Sequence, residues 1–287
     1  LKYGLLSRIA EKQSGFSKGQ RLIADYITKN YDKAAFMTAF KLGQAVGVSE
    51  STVVRFAAEL GFDGYPQLQK AMQELTRSKM TSIQRIEATE TRMKSDEVLS
   101  NVIACDIANI KKTLDEVPKD VFDSAVDAIV KARRVYIYGA GSCRSLALFL
   151  AYYLKIMMID VKLMYTSSET EIFEDMLHIG SQDMAIGISF PRYSSKAVKA
   201  MNFAHSRNAP VIAITDSKIS PIASSATYLL LAHCDMAAIV DSLVAPLSLI
   251  NAIIVAISLK KKEEIISRLL ELEKIWEDHE VYQKPEA

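Results

Sequence analysis

Two loops of this 287-residue chain carry residue types suited to holding an anion. The first lies in Val135-Tyr-Ile-Tyr-Gly139-Ala-Gly141-Ser142-Cys143, a β-rich run that ends in a glycine turn. Where a strand turns into a helix through glycine, backbone N–H groups gather at the helix N-terminus and favour negative charge. The second loop lies in Ile188-Ser189-Phe190-Pro191-Arg192-Tyr193-Ser194-Ser195 and leads into a helix expected over Lys196 to Arg207. It offers three serine hydroxyls and a guanidinium. In a doubly wound sheet the loops after the first and third strands can face one ligand. N–H groups and hydroxyls from Gly141, Ser142 and Cys143, with Ser189, Ser194 and Ser195, then suit a phosphate monoester. Arg192 would be the charge-assisted clamp. A second reading stays open for Ser194 and Ser195, because serines at this place also cap a helix. Ser167, Ser168 and Glu169, after the second strand, and His233 and Asp235, after the last, are candidates for sugar hydroxyls.

A different constellation lies near the N-terminus. With Ala39 opening a positioning helix, Leu42, Val46, Val48, Val53 and Phe56 fall on inward positions and all five are apolar. Gly43 stands where two helices must touch, and Gly47 stands where the turn needs a positive φ. These constraints together define a helix-turn-helix. Its second helix presents Ser49, Glu50, Ser51, Val54, Arg55 and Ala58 outward, with Thr52 at the flank. Arg55 can pair with guanine in a major groove or remain a solvated charge. Ser49 is also a plausible N-cap. Lys18, Arg21 and Lys41 are candidate phosphate contacts.

The elements that must position these residues divide the chain. The first 80 residues read as helices over Ser17–Asn30, Ala39–Val46, Glu50–Leu60 and Tyr65–Lys79. A polar stretch follows, and helices are expected over Asp96–Leu114 and Val121–Lys131. From there five strands alternate with helices: Val135–Tyr138, Val161–Tyr165, Met184–Ser189, Val211–Thr215 and Tyr228–Ala232. The first three connections are long enough for helices, which implies right-handed βαβ units and a parallel sheet. Helices over Ala237–Lys260 and Lys262–Glu277 complete the chain. The fold class is α/β, an all-α helix-turn-helix head joined to a doubly wound five-stranded parallel sheet. The expected division is a head over 1–78, a linker over 79–95 and a second domain over 96–287.

Composition agrees. Residues 1–80 hold 12 basic and 7 acidic side chains, and the rest holds 23 against 27, from totals of 35 and 34. A basic head on an acidic body is the asymmetry of a chain with one nucleic-acid-facing domain. Three scattered cysteines form no C-x-x-C pair, which excludes a disulfide framework and fits a reducing cytosol. No apolar signal segment opens at Leu1, so a cytoplasmic location is expected. Leu243–Leu259 is interrupted by Pro246, Ser248 and Asn251 and reads as a buried or dimer-forming helix, not a membrane span. Arg144 replaces the third glycine of a dinucleotide fingerprint, and Tyr165 and Thr166 stand where its acidic residue belongs; neither a cofactor nor a metal is expected.

The run Val48-Ser-Glu-Ser-Thr-Val-Val-Arg-Phe56, continuing through Leu60-Gly-Phe-Asp-Gly-Tyr-Pro66, resembles the head of the RpiR family of transcription regulators. The two anion loops, with Val211-Ile-Ala-Ile-Thr-Asp216 and Ser220-Pro221, are similar to the sugar isomerase (SIS) domain that binds phosphosugars. The resemblance implies a regulator whose operator affinity responds to a sugar phosphate. Its implied partners are double-stranded, palindromic DNA and a second or further copy of the chain, as homodimer or homotetramer. It also implies Ser189, Arg192, Ser194 and Ser195 as phosphate ligands, with Ser142 a weaker one. One position departs: Cys143 stands where that family usually has serine. A thiol donates poorly, and a helix N-terminus tends to lower its pKa, so altered anion binding is expected, and a redox role is a second reading. An aldose–ketose isomerase is the competing function. It needs a base beside the substrate, and Glu169, Glu171, His178 and His233 are its candidates.

Overall fold

The computed structural model describes residues 5–79, 83, 97–157, 159–235 and 241–282. The expected linker over 79–95 therefore lies almost wholly outside the described residues.

The head is a cluster of five helices: α1 (Leu5–Lys12), α2 (Lys18–Ala34), α3 (Ala39–Val46), α4 (Glu50–Glu59) and α5 (Tyr65–Lys79). Local chemistry sets their starts. Ser17 and Gln20 form a reciprocal capping box at α2, and the Thr38 hydroxyl accepts from Lys41 N at α3. Gly47 ends α3 at φ 75°, the left-handed position the turn requires. Ile23, Ile27, Leu42, Phe56, Leu68 and Met72 are fully buried between these helices. The rings of Phe16 and Phe56 meet edge to face at 5.3 Å.

Two helices, α6 (Val98–Glu116) and α7 (Lys119–Lys131), lead into the sheet. Its strands are β1 (Val135–Gly139), β2 (Val161–Leu163), β3 (Met184–Ile188), β4 (Val211–Thr215) and β5 (Tyr228–Leu231). They are all parallel, in the order β2-β1-β3-β4-β5. Between them run α8 (Cys143–Ile156), α9 (Glu169–Asp175) and α10 (Ser195–Ser206), with only a 3-10 turn at Pro221–Ser225 joining β4 to β5. Alternation along β1 sends Val135 and Ile137 to one face and Tyr136 and Tyr138 to the other. The first face packs on α7, α8 and α11 (Val244–Lys260), the second on α9 and α10. Gly187 is needed for that second contact, since a Cβ there would meet Met201 Cγ at 2.5 Å.

The helix expected from Ala237 begins at Val244 instead. Residues 236–240 lie outside the described ones, and Leu243 makes no side-chain cap. The segment ahead of them is held by α6. His233 N donates to Thr113 Oγ1 at 2.9 Å, Asp235 N donates to Asn109 Oδ1 at 3.2 Å, and Asn109 Nδ2 donates to Asp235 O at 3.0 Å. The chain closes with α12 (Lys262–Asp278). Among the described residues no single helix is long and apolar enough to cross a membrane.

The head meets the sheet domain at the loop after β4. Ile219 packs on the head core, and Ser217 Oγ donates to Glu74 Oε2 of α5 at 3.0 Å. A cavity of about 490 Å³ opens beside this contact, between Arg8, Phe62 and Lys70 of the head and Glu116, Lys218 and Leu231 of the other domain.

Candidate functional site

On the head, the five inward positions are apolar and enclosed. Leu42, Val53 and Phe56 are fully buried, and Val46 and Val48 are half-buried. Gly43 is where α3 meets the start of α4. A Cβ there would lie 2.7 Å from the Val48 carbonyl oxygen. Ser49, Glu50, Ser51, Val54, Arg55 and Ala58 are all exposed along one side of α4, with Thr52 half-buried beside them. The Ser49 hydroxyl accepts from Thr52 N at 3.3 Å and lies 2.9 Å from both Ser51 Oγ and Thr52 Oγ1. It is therefore the N-cap of this helix. Arg55 Nε donates to Ser51 O at 3.3 Å, one turn back, and the side chain stays exposed. Lys18, in the first turn of α2, and Lys41, in α3, are exposed as well. A groove lined by Ser17, Gly19, Gln20, Val48, Ser49 and Arg55 runs between the N-termini of α2 and α4.

On the sheet, β1 and β3 are hydrogen-bonded neighbours whose last residues, Gly139 and Ile188, pair in register. The turn after β1 and the loop after β3 thus leave from one edge, between the strands where the order reverses. The Phe190 backbone also stands close enough to the Cys143 sulfur to favour its charged form, so the two loops are neighbours. Gly141 holds φ 60° in the first turn, and Ser142 is exposed at its crest without capping α8.

The serines of the second loop have structural duties. Ser189 is buried, and its hydroxyl accepts from Ser194 N at 3.3 Å. Ser194 caps α10, accepting from Ala197 N at 3.4 Å, which is the capping alternative for that residue. Ser195 and Arg192 are exposed. Arg192 holds φ 65°, a left-handed backbone rare for a residue with a side chain.

Cys143 behaves differently from its expectation. Burial pushes its thiol up to about 11, with the Phe190 backbone opposing and the Asp241 carboxylate adding to the rise. Desolvation outweighs the helix N-terminus, so the residue is a neutral thiol at physiological pH and sets no thiolate against a phosphate. The folded chain keeps this proton between the ordinary value of 9.0 and about 11, where an unfolded chain loses it. This group's contribution to stability is thus complete below that window and declines as pH rises through it. At neutral pH Cys143 is expected to resist iodoacetamide in the folded chain and to react after denaturation. Rapid alkylation of the native protein, located by peptide mass, would contradict this.

Several neighbours were not evident from sequence. Both Glu169 carboxylate oxygens accept from Lys199 Nζ, at 3.0 and 2.8 Å, and Lys196 Nζ donates to Ser167 O. Arg144 stacks over the Tyr165 ring at 4.9 Å. Burial raises the Tyr138 phenol, with Arg144 pulling it down and Glu169 pushing it up, so both charges act at the end of β1. The signal for Lys196 and Lys199 was their place in the first turns of the helix after the serine loop. His233 and Asp235 do not join this group. His233 Nε2 lies 3.1 Å from Glu116 Oε2, and Asp235 pairs with Lys112 at 2.8 Å, both under α6 beyond β5. His178 is exposed ahead of β3, at the end of the sheet opposite these loops. Among the described residues no cluster of His, Cys, Asp or Glu could hold a metal.

Comparison with known proteins agrees with both halves. The helix-turn-helix domain of the rpiR family matches residues 3–79, and the SIS domain matches residues 128–256. The chain is 27% identical to the HTH-type transcriptional regulator HexR of Pseudomonas aeruginosa over 228 residues, 79% of this chain and 78% of that one. The sugar isomerase domain of the RpiR transcription factor from Sphaerobacter thermophilus superposes with a TM-score of 0.60 at 27% identity, covering 62% of this chain and 99% of that one. NanR of Vibrio vulnificus, solved with ManNAc-6P, covers 95% of this chain and 98% of its own at a TM-score of 0.58 and 20% identity, a likeness of fold. The chain thus joins a helix-turn-helix domain of the rpiR family to a SIS domain, the make-up of an RpiR-type transcriptional regulator.

Proposed function

We propose that this regulator reads operator DNA with α4 and senses a phosphorylated sugar in the crevice between the Gly139–Cys143 turn and the Ser189–Ser195 loop. The observation that carries the sensing half is the adjacency of those two loops at the β1–β3 edge. A phosphate there would meet N–H groups at the start of α10, the Ser195 and Ser142 hydroxyls and the Arg192 guanidinium, with Lys196 near by. Ser189 and Ser194 would shape the loop as well as line it. Glu169, already paired with Lys199, would contact the sugar only as part of that ion pair. Turnover is disfavoured. Of the four candidate bases His178 is at the far end and His233 lies under α6 beyond β5, away from the crevice, so we read the domain as a sensor and not an isomerase.

On the DNA side, Ser49, Glu50, Ser51, Thr52, Val54 and Arg55 would face the major groove, with Lys18 and Lys41 on flanking phosphates. We divide the chain into a head over 1–78, a linker over 79–95 and a sensor over 96–287, acting in the cytoplasm. A homodimer on a palindromic site would bring two copies of α4 to one face of the duplex. Leu99, Ile103, Ile107, Ile110 and Leu114 form an exposed apolar seam along α6 that supports self-association.

The test has two readings. A thermal-shift screen with phosphorylated sugars and amino sugars, ManNAc-6P among them, should raise the melting temperature for at least one compound by mass action. That compound should change operator affinity by about 1–3 kcal/mol, or roughly 5–150-fold. No shift with any sugar phosphate would end the sensing proposal. Arg55→Ala should weaken operator binding by about 1–3 kcal/mol, while the sugar-phosphate shift persists. Unchanged affinity at physiological salt would remove α4 from the duplex.

A further inference from the structure

The contact between head and sensor is built on the loop that leaves β4, and that loop is tied to the proposed phosphate crevice. Tyr193, between Arg192 and the capping Ser194, donates its hydroxyl to Asp216 Oδ1 at 2.9 Å. Thr215 Oγ1 lies 3.4 Å from the same oxygen. The next residue, Ser217, is buried. Its hydroxyl donates to Glu74 Oε2 of α5 at 3.0 Å and accepts from Ile219 N at 3.3 Å, while the Ile219 side chain packs on the head core. A continuous set of hydrogen bonds and adjacent residues therefore runs from the serine loop to the head.

We propose that Tyr193, Asp216, Ser217 and Glu74 form the coupling through which occupancy of the crevice is reported to the DNA-binding head. This rests on the reading of the crevice as a phosphate site. Arg192 and Ser194 flank Tyr193 in the chain, so an anion that draws on either one repositions the phenol between them. Arg192 holds a left-handed backbone, and a loop held in such a conformation is suited to two arrangements. Asp216 then shifts the Ser217–Ile219 turn, and that turn is the surface on which α5 rests. The exposed side of α4 is not part of this contact, so the docked head can still reach DNA. The coupling acts on where the head is held and leaves its recognition surface unchanged. Coupling of this kind requires one element with two arrangements that both sites bias, and the proposal gives that role to the loop over 216–219.

Backbone hydrogen exchange on the full chain, with and without inorganic phosphate at tens of millimolar, reads each segment separately. In the wild-type protein phosphate should slow exchange around Ser194–Lys196 and also alter exchange in 217–219 and in α5 near Glu74. Tyr193→Phe should keep the first change and lose both of the others. Ser217→Ala should lose only the change in α5. A Tyr193→Phe variant that transmits like wild type, or a wild-type response confined to the serine loop, overturns the coupling and leaves the phosphate site standing. No change at Ser194–Lys196 in the wild-type protein overturns the phosphate site, and the coupling falls with it.

Discussion

Phe56→Ala is expected to abolish operator binding at physiological temperature while leaving the sugar-phosphate response of the other domain intact. Phe56 is fully buried where α4 faces the rest of the head, and its ring meets Phe16 at 5.3 Å. Removing a buried Phe ring costs about 3–5 kcal/mol, and the edge-to-face contact adds about 0.5–1.5 kcal/mol. A head of this size has roughly 4–11 kcal/mol of stability in all, at about 0.05–0.15 kcal/mol per residue. The variant head therefore sits near its unfolding midpoint. The two cores are separate, with Ile219 the one sensor side chain among the described residues that packs on the head cluster. Fluorescence anisotropy on operator DNA, beside a ligand-dependent melt, separates the effects. Phe36→Ala in the same domain is the control, because that side chain is exposed, lies outside the proposed DNA surface and its loss should move stability by less than about 0.5 kcal/mol. Loss of the ligand shift along with DNA binding would mean that the cores unfold as one.

Gly139→Val should produce the opposite pattern, a chain whose head still binds DNA but whose sensor no longer responds to a sugar phosphate. A Cβ at 139 would stand 2.5 Å from the Cys143 carbonyl oxygen and 2.8 Å from its carbonyl carbon, with Ala147 Cβ at 3.3 Å. The nearest obstacle is backbone in the first turn of α8, so no rotamer change relieves it. Overpacking of this kind costs about 1–3 kcal/mol and sometimes more; the upper end is expected here. The turn that carries Gly141 and Ser142 must open, which removes the N–H cradle even if the sheet survives. Gly180→Ala is the matching control, since nothing lies within 4 Å of a Cβ there. A Gly139→Val protein that keeps the full ligand-dependent melting shift would show that the turn plays no part in the site.

The helix-turn-helix was legible because its signals are local. Thr38, Gly47 and Ser49 mark helix ends within a few residues of the positions they control, and α3 runs over Ala39–Val46 as expected. The strands were legible from alternation and from the apolar runs of a sheet covered on both faces. Other features depend on partners far along the chain. At the late start of α11 Ser242 accepts from Val244 N, and what holds the segment before 236 is Asn109 and Thr113, more than a hundred residues away. Glu169 reads as a free carboxylate until Lys199, thirty residues on, is brought against it. For Cys143 the sequence displays the helix N-terminus and hides the burial, and burial is the larger influence.

The backbone at Arg192 has one more consequence. Glycine would take up φ 65° freely, whereas a side-chain-bearing residue there is disfavoured by about 1–2 kcal/mol. The loop is thus wound against its own preference at the residue whose guanidinium it presents. Arg192→Gly would relax that turn and remove the charge together, whereas Arg192→Lys would keep the charge and the tension.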